Sequence, residues 1–125
     1  MKIKYYLNFK EENRVSMDEF GQQLIDYQTK NYEEHEISYF KPNISLFSKL
    51  IFIEKFRMRH ARYFSYPKQI KKLPFHDISH ICDQQYGHLY SSLNSKVKII
   101  TVNDLVPIVL KKQIGRNPIL IKYSL

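Results

Sequence analysis

Val97-Lys98-Ile99-Ile100-Thr101-Val102 is rich in β-branched residues, which is typical of a strand inside a parallel sheet. Similar short apolar runs occur earlier in the chain, and helical patterns separate them. The predicted strands are residues 3–9, 36–40, 77–82 and 97–102, and the predicted helices are residues 16–30, 44–64, 67–73 and 84–93. This alternation predicts an α/β fold, a Rossmann-like open parallel sheet with flanking helices and right-handed crossovers.

Local signals set the predicted helix boundaries. Ser16 and Glu19 have the spacing of a capping box, so the first helix is expected to begin there. Pro67 is expected to end or break the long second helix. The apolar face predicted for the first helix consists of Met17, Phe20, Leu24 and Tyr27.

Length and composition favour one globular domain in a reducing compartment. The chain has 125 residues, 43% of them hydrophobic, and a single cysteine. Its first residues lack the apolar core of a signal peptide, and no stretch of 18 apolar residues could span a bilayer. We therefore expect a cytoplasmic protein, which could also lie on the inner face of the membrane.

Most of the formal charge of +8 lies in residues 49–72, where eight Lys and Arg face one acid, Glu54. Such a segment predicts an anionic partner: phosphates, an acidic membrane surface or nucleic acid. Lys55, Arg59 and Arg62 are the candidate contacts, interleaved with Phe52, Phe56 and Tyr63. An anionic membrane suits this mixture, whereas the plainer interpretation is a solvated helix whose aromatics pack on the sheet. Nucleic acid is the less favoured partner, because no recognition motif is present.

Ligands of open parallel sheets bind outside the carboxyl ends of the strands. Polar residues follow the third and fourth predicted strands: Asp83 and Gln84 with His88 one turn on, and Asn103 with Asp104. We assign these five as candidate substrate-binding residues. Structural roles are the alternative, since Asp83 is a suitable helix N-cap and Asp104 could cap the turn before Pro107.

The same strand ends carry a resemblance to a known family. Asp77-Ile78-Ser79-His80-Ile81-Cys82-Asp83, with His88-Leu89 after it, resembles the segment Asp-hydrophobic-x-His-hydrophobic-x-Asp of family 4 glycosyltransferases. Lys98-Ile99-Ile100-Thr101-Val102-Asn103-Asp104-Leu105-Val106-Pro107 is similar to their next strand, usually Thr-Val-His-Asp-Leu-Ile-Pro. Residues 14–24 resemble the first loop and helix start of the family.

The resemblance implies a GT-B enzyme, in which two Rossmann-like domains face each other and a sugar moves from a nucleotide-sugar to a glycan or lipid-linked acceptor. Residues 1–125 would be an incomplete N-terminal, acceptor-side domain. The C-terminal nucleotide-sugar domain, with its paired-glutamate motif, has no counterpart here, so a separately encoded half could supply it. Alone, the chain is expected to be inactive, or a non-catalytic remnant.

The chemistry of single residues narrows these expectations. Asn103 stands where the family usually has His, and its amide can hydrogen-bond a sugar hydroxyl but cannot titrate near neutral pH. We therefore assign no catalytic residue. His76, His80, Cys82 and His88 have no recognised metal-ligand spacing, so no metal or cofactor is expected. Cys82 is predicted to be a small buried residue.

Overall fold

A computed structural model describes residues 1–103, which form a four-stranded parallel sheet with helices on both faces. The strands are β1 (Lys2–Tyr6), β2 (Glu36–Phe40), β3 (His76–Ile81) and β4 (Ser95–Ile100). Their order in the sheet is β2-β1-β3-β4, and every pair is parallel. The predicted Rossmann-like open sheet is thus confirmed. β1 and β4 end earlier along the chain than predicted. The candidate residue Asp104 lies outside the described residues.

The two faces of the sheet bury separate apolar clusters, because side chains alternate along each strand. One cluster contains Ile3, Tyr5 and Leu7 of the β1 region with Ile25. The opposite face buries a larger cluster, which contains Tyr6, Phe9, Ala61, Tyr66, Ile70, Ile81, Tyr86, Leu89 and Leu93. Within residues 1–103, β4 pairs only with β3 and so forms an edge. Its β-branched run had predicted a central position.

The first crossover contains α1 (Val15–Asn31), which packs on the smaller cluster. Its N-cap residue is Arg14, which makes no side-chain capping bond; the Arg14 carbonyl accepts the first helical hydrogen bonds, from the N–H groups of Met17 and Asp18 at 3.1 and 3.0 Å. The predicted capping box was therefore wrong, because Ser16 already lies inside the helix. The predicted apolar face was shifted too: Gly21 and Ile25 are buried, whereas Tyr27 is 58% exposed.

The second crossover is broken where one long helix was predicted. A short α2 (Leu46–Lys49) is separated from α3 (Glu54–His60) by four residues, and a π-helical segment (Ala61–Ser65) then leads into α4 (Tyr66–Ile70). Neither α2 nor α3 buries a large apolar side chain, so no apolar stripe holds the two as one helix. The side chain of Ser45 caps α2 by accepting from Ser48 N at 3.2 Å.

Pro67 does not end the helix, as had been predicted. The N–H of Tyr66 donates to the carbonyl of Ala61, five residues earlier, and this wider turn precedes the proline directly. A proline lacks an N–H and its ring crowds the carbonyl four residues before it, here that of Tyr63. The π turn accommodates both effects, so the chain stays helical as far as Ile70.

The last connection is a 3₁₀ helix, Gln84–Ser92, with a kink at Tyr86. The sequence pattern had predicted a helix there without its type. Among the described residues, no helix is long and apolar enough to cross a membrane.

Candidate binding site at the carboxyl edge of the sheet

The strand order places a topological switch point at the carboxyl ends of β1 and β3. From β1 the chain crosses to β2 on one side, and it then returns to β3 on the other side of β1. Such a switch point separates the connecting loops, and it is where ligands of open α/β sheets bind. The segments to examine are therefore residues 7–14, which follow β1, and residues 82–85, which follow β3.

Asp83 ties these two segments together. Its carboxylate is 2% exposed. Oδ1 accepts a hydrogen bond from Gln85 N at 3.0 Å, so the predicted capping role is confirmed. Oδ2 accepts from Asn8 Nδ2 at 2.8 Å and lies 2.7 Å from Arg14 Nη1. The capping residue is therefore also the centre of a buried polar cluster, in which one charge is paired and hydrogen-bonded.

The backbone of the first loop aims Arg14 at this cluster. A 3₁₀ turn, Lys10–Glu12, follows β1, and Asn13 then takes the left-handed conformation with φ of 51°. Asparagine tolerates this region better than most residues. Arg14 comes next, and it is both the N-cap residue of α1 and the ion-pair partner of Asp83.

A second charge pair connects the loop after β1 to the helical layer. Arg62 donates to Glu12 Oε1 from Nε at 3.1 Å and from Nη2 at 2.7 Å, and its guanidinium lies 5.1 Å from the Tyr86 ring centroid. Burial alone would lower the pKa of Arg62, but the charge interactions with Glu12 and Tyr86 and the hydrogen bonds to Glu12 and Tyr63 together raise it. Arg62 thus stabilises the fold by pairing with Glu12. This role distinguishes it from Lys55 and Arg59.

Gln84 and Asn103 meet at the same edge, although 19 positions separate them. The backbone N–H of Asn103 donates a short hydrogen bond to Gln84 Oε1, and the Gln84 side chain is buried. The Asn103 amide is exposed, and its Nδ2 lies 3.7 Å from Met17 Sδ in the first turn of α1. This amide faces solvent where the ends of β3, β4 and α1 come together.

His88 faces the helical layer. Its Nε2 donates to the carbonyl of Arg62 at 2.8 Å, and its ring lies 4.7 Å from that of Tyr63. Burial lowers the pKa of His88, since it disfavours the charged imidazolium. His88 therefore links the 3₁₀ helix to the π segment, and with Lys55, Arg59 and Arg62 it lines a groove of about 750 Å³.

The plainer prediction was that the aromatic residues near these cations pack on the sheet. The structure does not place them there. Phe52 is 97% exposed and Phe56 is 49% exposed. Tyr63 is half-buried against His88. Met58 of α3, rather than Phe56, packs against the larger cluster.

Cys82 and His80 make contacts within the fold. Cys82 is 2% exposed, as predicted, and burial together with the charge of Asp83 raises the pKa of its thiol to about 12. His80 Nε2 lies 2.7 Å from Thr101 Oγ1, and burial lowers the pKa of His80. Within residues 1–103 no group of three or more His, Cys, Asp or Glu side chains is arranged to hold a metal ion.

Three residues of this edge were not predicted: Asn8, Glu12 and Arg14. Asn8 had been assigned to the interior of a longer β1. A polar residue between Leu7 and Phe9 was the available signal that the strand had ended. Glu12 and Arg14 had no local signal, because their partners Arg62 and Asp83 lie far away along the chain.

Comparison of the chain with protein-family models, curated proteins and solved structures finds no match.

Proposed function

We propose that this chain is the acceptor-side domain of a glycosyltransferase and that it binds a sugar at the carboxyl edge of the sheet. One observation carries the proposal. The two resembling segments are joined by a hydrogen bond between Gln84, next to the end of β3, and Asn103, beyond the end of β4, at the carboxyl edge of the parallel sheet. A ligand site is expected at this edge from the topology alone.

The side chains at the edge suit a neutral, hydroxyl-rich ligand. The exposed Asn103 amide offers both a donor and an acceptor, which is what a sugar hydroxyl requires. Arg14 is 29% exposed and adds donor groups beside Asp83. The carboxylate of Asp83 is already occupied by Asn8, Arg14 and Gln85, so its role in this proposal is to position the loops around the ligand.

In this proposal the chain binds the acceptor and does not itself transfer the sugar. Asn103 cannot act as an acid or base, Cys82 is buried in the interior, and half-buried His80 already contacts Thr101 Oγ1. A second Rossmann-like unit would bind the nucleotide-sugar and supply the remaining chemistry.

Saturation-transfer-difference NMR on the full chain tests the proposal. The ligands are a panel of monosaccharides, short oligosaccharides and nucleotide-sugars. Asn103→Ala should weaken sugar signals several-fold, whereas Asn94→Ala changes an exposed asparagine at the opposite end of β4 and should leave them intact. Asn103→His, which introduces the residue usual in the resembling family, should retain binding.

Two results would refute the proposal. One is the absence of any carbohydrate signal at millimolar ligand, and the other is equal binding by the Asn103→Ala and Asn94→Ala variants.

A further inference from the structure

The segment before the π turn exposes an unusual number of large apolar side chains. Phe52 is 97% exposed, Leu46 81% and Leu50 73%. We call the whole set the apolar tip: Leu46, Phe47, Leu50, Phe52, Ile53, Phe56 and Phe64. Single exposed apolar residues are ordinary, but a soluble protein rarely groups so many, and such groups mark interaction sites.

Internal contacts hold the apolar tip in shape. Ser48 is fully buried, and its Oγ lies 2.6 Å from His60 Nδ1, which ties α2 to α3. The His60 ring contacts Phe47 at 5.0 Å and Phe64 at 5.5 Å between ring centroids. The exposure of these aromatics is therefore built into the fold.

Cations are interspersed with the apolar tip along the chain. Seven belong to the same stretch and are not paired with a carboxylate among residues 1–103: Lys49, Lys55, Arg57, Arg59, Lys68, Lys71 and Lys72. Glu54 is the one acid within residues 49–72. Arg59 lies 6.0 Å from the Phe56 ring centroid, so charge and apolar surface are adjacent. Large apolar groups ringed by cations are the chemistry of a surface that enters the headgroup region of an anionic bilayer.

We propose that the apolar tip docks this protein on an anionic lipid bilayer, with its aromatic and aliphatic side chains among the acyl chains and the surrounding cations at the headgroup phosphates. The apolar groove of about 790 Å³ between Phe47 and Phe64, flanked by Lys68 and Lys72, extends the same surface. This inference does not rest on the proposed sugar-binding function.

Two other occupants fit the surface less well. Single-stranded nucleic acid stacks on aromatic rings, but Leu46, Leu50 and Ile53 have no ring to offer a base. A second copy of the chain would bring two strongly cationic segments together, and like charges repel. A bilayer accepts aliphatic and aromatic groups equally and supplies the opposite charge.

Docking also sets an orientation. The helical layer that follows the apolar tip contains Arg62, which bonds Glu12 in the loop after β1. The tip also begins at α2, which follows the carboxyl end of β2, so docking would bring the carboxyl edge of the sheet towards the membrane surface.

The lack of tryptophan in the chain allows a direct test. Phe52→Trp gives a single reporter in the apolar tip, and Tyr27→Trp gives a matched reporter at an exposed aromatic of α1. Both full-length variants are mixed with phosphatidylcholine vesicles with and without about one third phosphatidylglycerol, at low salt. The tip reporter should shift to the blue and be quenched by brominated acyl chains with anionic vesicles, while the α1 reporter should do neither.

Paired variants separate the two contributions in co-sedimentation with the same vesicles. Leu50→Ser with Phe52→Ser, and separately Lys55→Glu with Arg59→Glu, should each weaken partitioning at least about tenfold. Tyr27→Ser and Lys30→Glu on α1 are the controls. All of these side chains are exposed, so circular dichroism should show an unchanged fold.

Several results would overturn the inference: no sedimentation with anionic vesicles, binding without a blue shift of the tip reporter, or equal binding by the tip and control variants. A single-stranded oligonucleotide that binds at low salt and displaces the vesicles would assign the surface to nucleic acid instead. Self-association that requires Phe52 and excludes vesicles would assign it to a second copy.

Discussion

Arg14 Nη1 lies 2.7 Å from Asp83 Oδ2, across the gap between the chain that leaves β1 and the chain that leaves β3. The pair joins residues that are almost seventy positions apart, and Asn8 shares the same carboxylate oxygen. Because the carboxylate is buried, the strength of this contact decides how firmly the loops after β1 and β3 are held together.

Asp83→Asn should destabilise the fold by about 2–4 kcal/mol, because it removes the charge that Arg14 faces and weakens the cap of the 3₁₀ helix. Urea unfolding of the full chain measures the loss. Asp26→Asn is the control on the exposed side of α1, where the change should cost under about 0.5 kcal/mol. Equal costs at the two positions would contradict the central role of Asp83.

The same substitution should destabilise the fold at Arg62 but not at Arg59. Arg62→Gln breaks a largely buried pair with Glu12 and should cost about 1–3 kcal/mol in unfolding free energy. Arg59→Gln changes an exposed cation and should be nearly neutral for stability. A destabilised Arg59→Gln variant, with Arg62→Gln unaffected, would reverse the assignment of the two arginines.

Stability should fall as the pH drops below neutrality. Burial lowers the pKa of His80 and His88 in the folded chain, so the unfolded chain binds protons more readily in the window below about 6.5. The contribution of both histidines is therefore complete above that pH and is lost as the pH falls towards their folded pKa values. Urea unfolding at pH 7.5 and 5.5 measures the difference.

The double variant His80→Gln/His88→Gln should reduce this difference in unfolding free energy between the two pH values. Each single variant should reduce it in part. An unchanged difference in the double variant would show that other groups carry the pH dependence.

Cys82 should resist alkylation in the native protein. Its thiol is buried and protonated near neutral pH, because burial and the neighbouring Asp83 raise its pKa to about 12. Iodoacetamide labelling followed by mass spectrometry is unambiguous, since the chain has one cysteine. We expect labelling within minutes in 8 M urea at pH 8 and at least a hundredfold slower labelling without denaturant; comparable rates would mean that the thiol is accessible.

The sheet could be predicted because its signal is local. The apolar runs around Ile78, Ile81 and Ile100 predict buried strands wherever those strands pair, and their alternation with helices predicts parallel order. Pairing of Gln84 with Asn103 at one edge follows from the same argument, because carboxyl ends of parallel strands meet.

The remaining features depend on contacts between distant residues. Glu12 and Arg62 are 50 positions apart, and Asn8 and Asp83 are 75 apart, so no window of sequence contains either pair. The break between α2 and α3 was missed for a related reason. The spacing of Phe47, Leu50 and Ile51 is helical, but the structure gives this stripe no apolar surface to cover.

The π turn before Pro67 determines which side chains of the second crossover are exposed and which are buried. One additional residue in a helical turn rotates everything beyond it by about 100° relative to a regular helix. Upstream, Phe56 and Arg59 face outwards; downstream, Tyr66 and Ile70 are fully enclosed. A one-residue deletion between positions 61 and 65 would remove this offset. The resulting regular helix could not expose the upstream residues and bury the downstream residues at the same time.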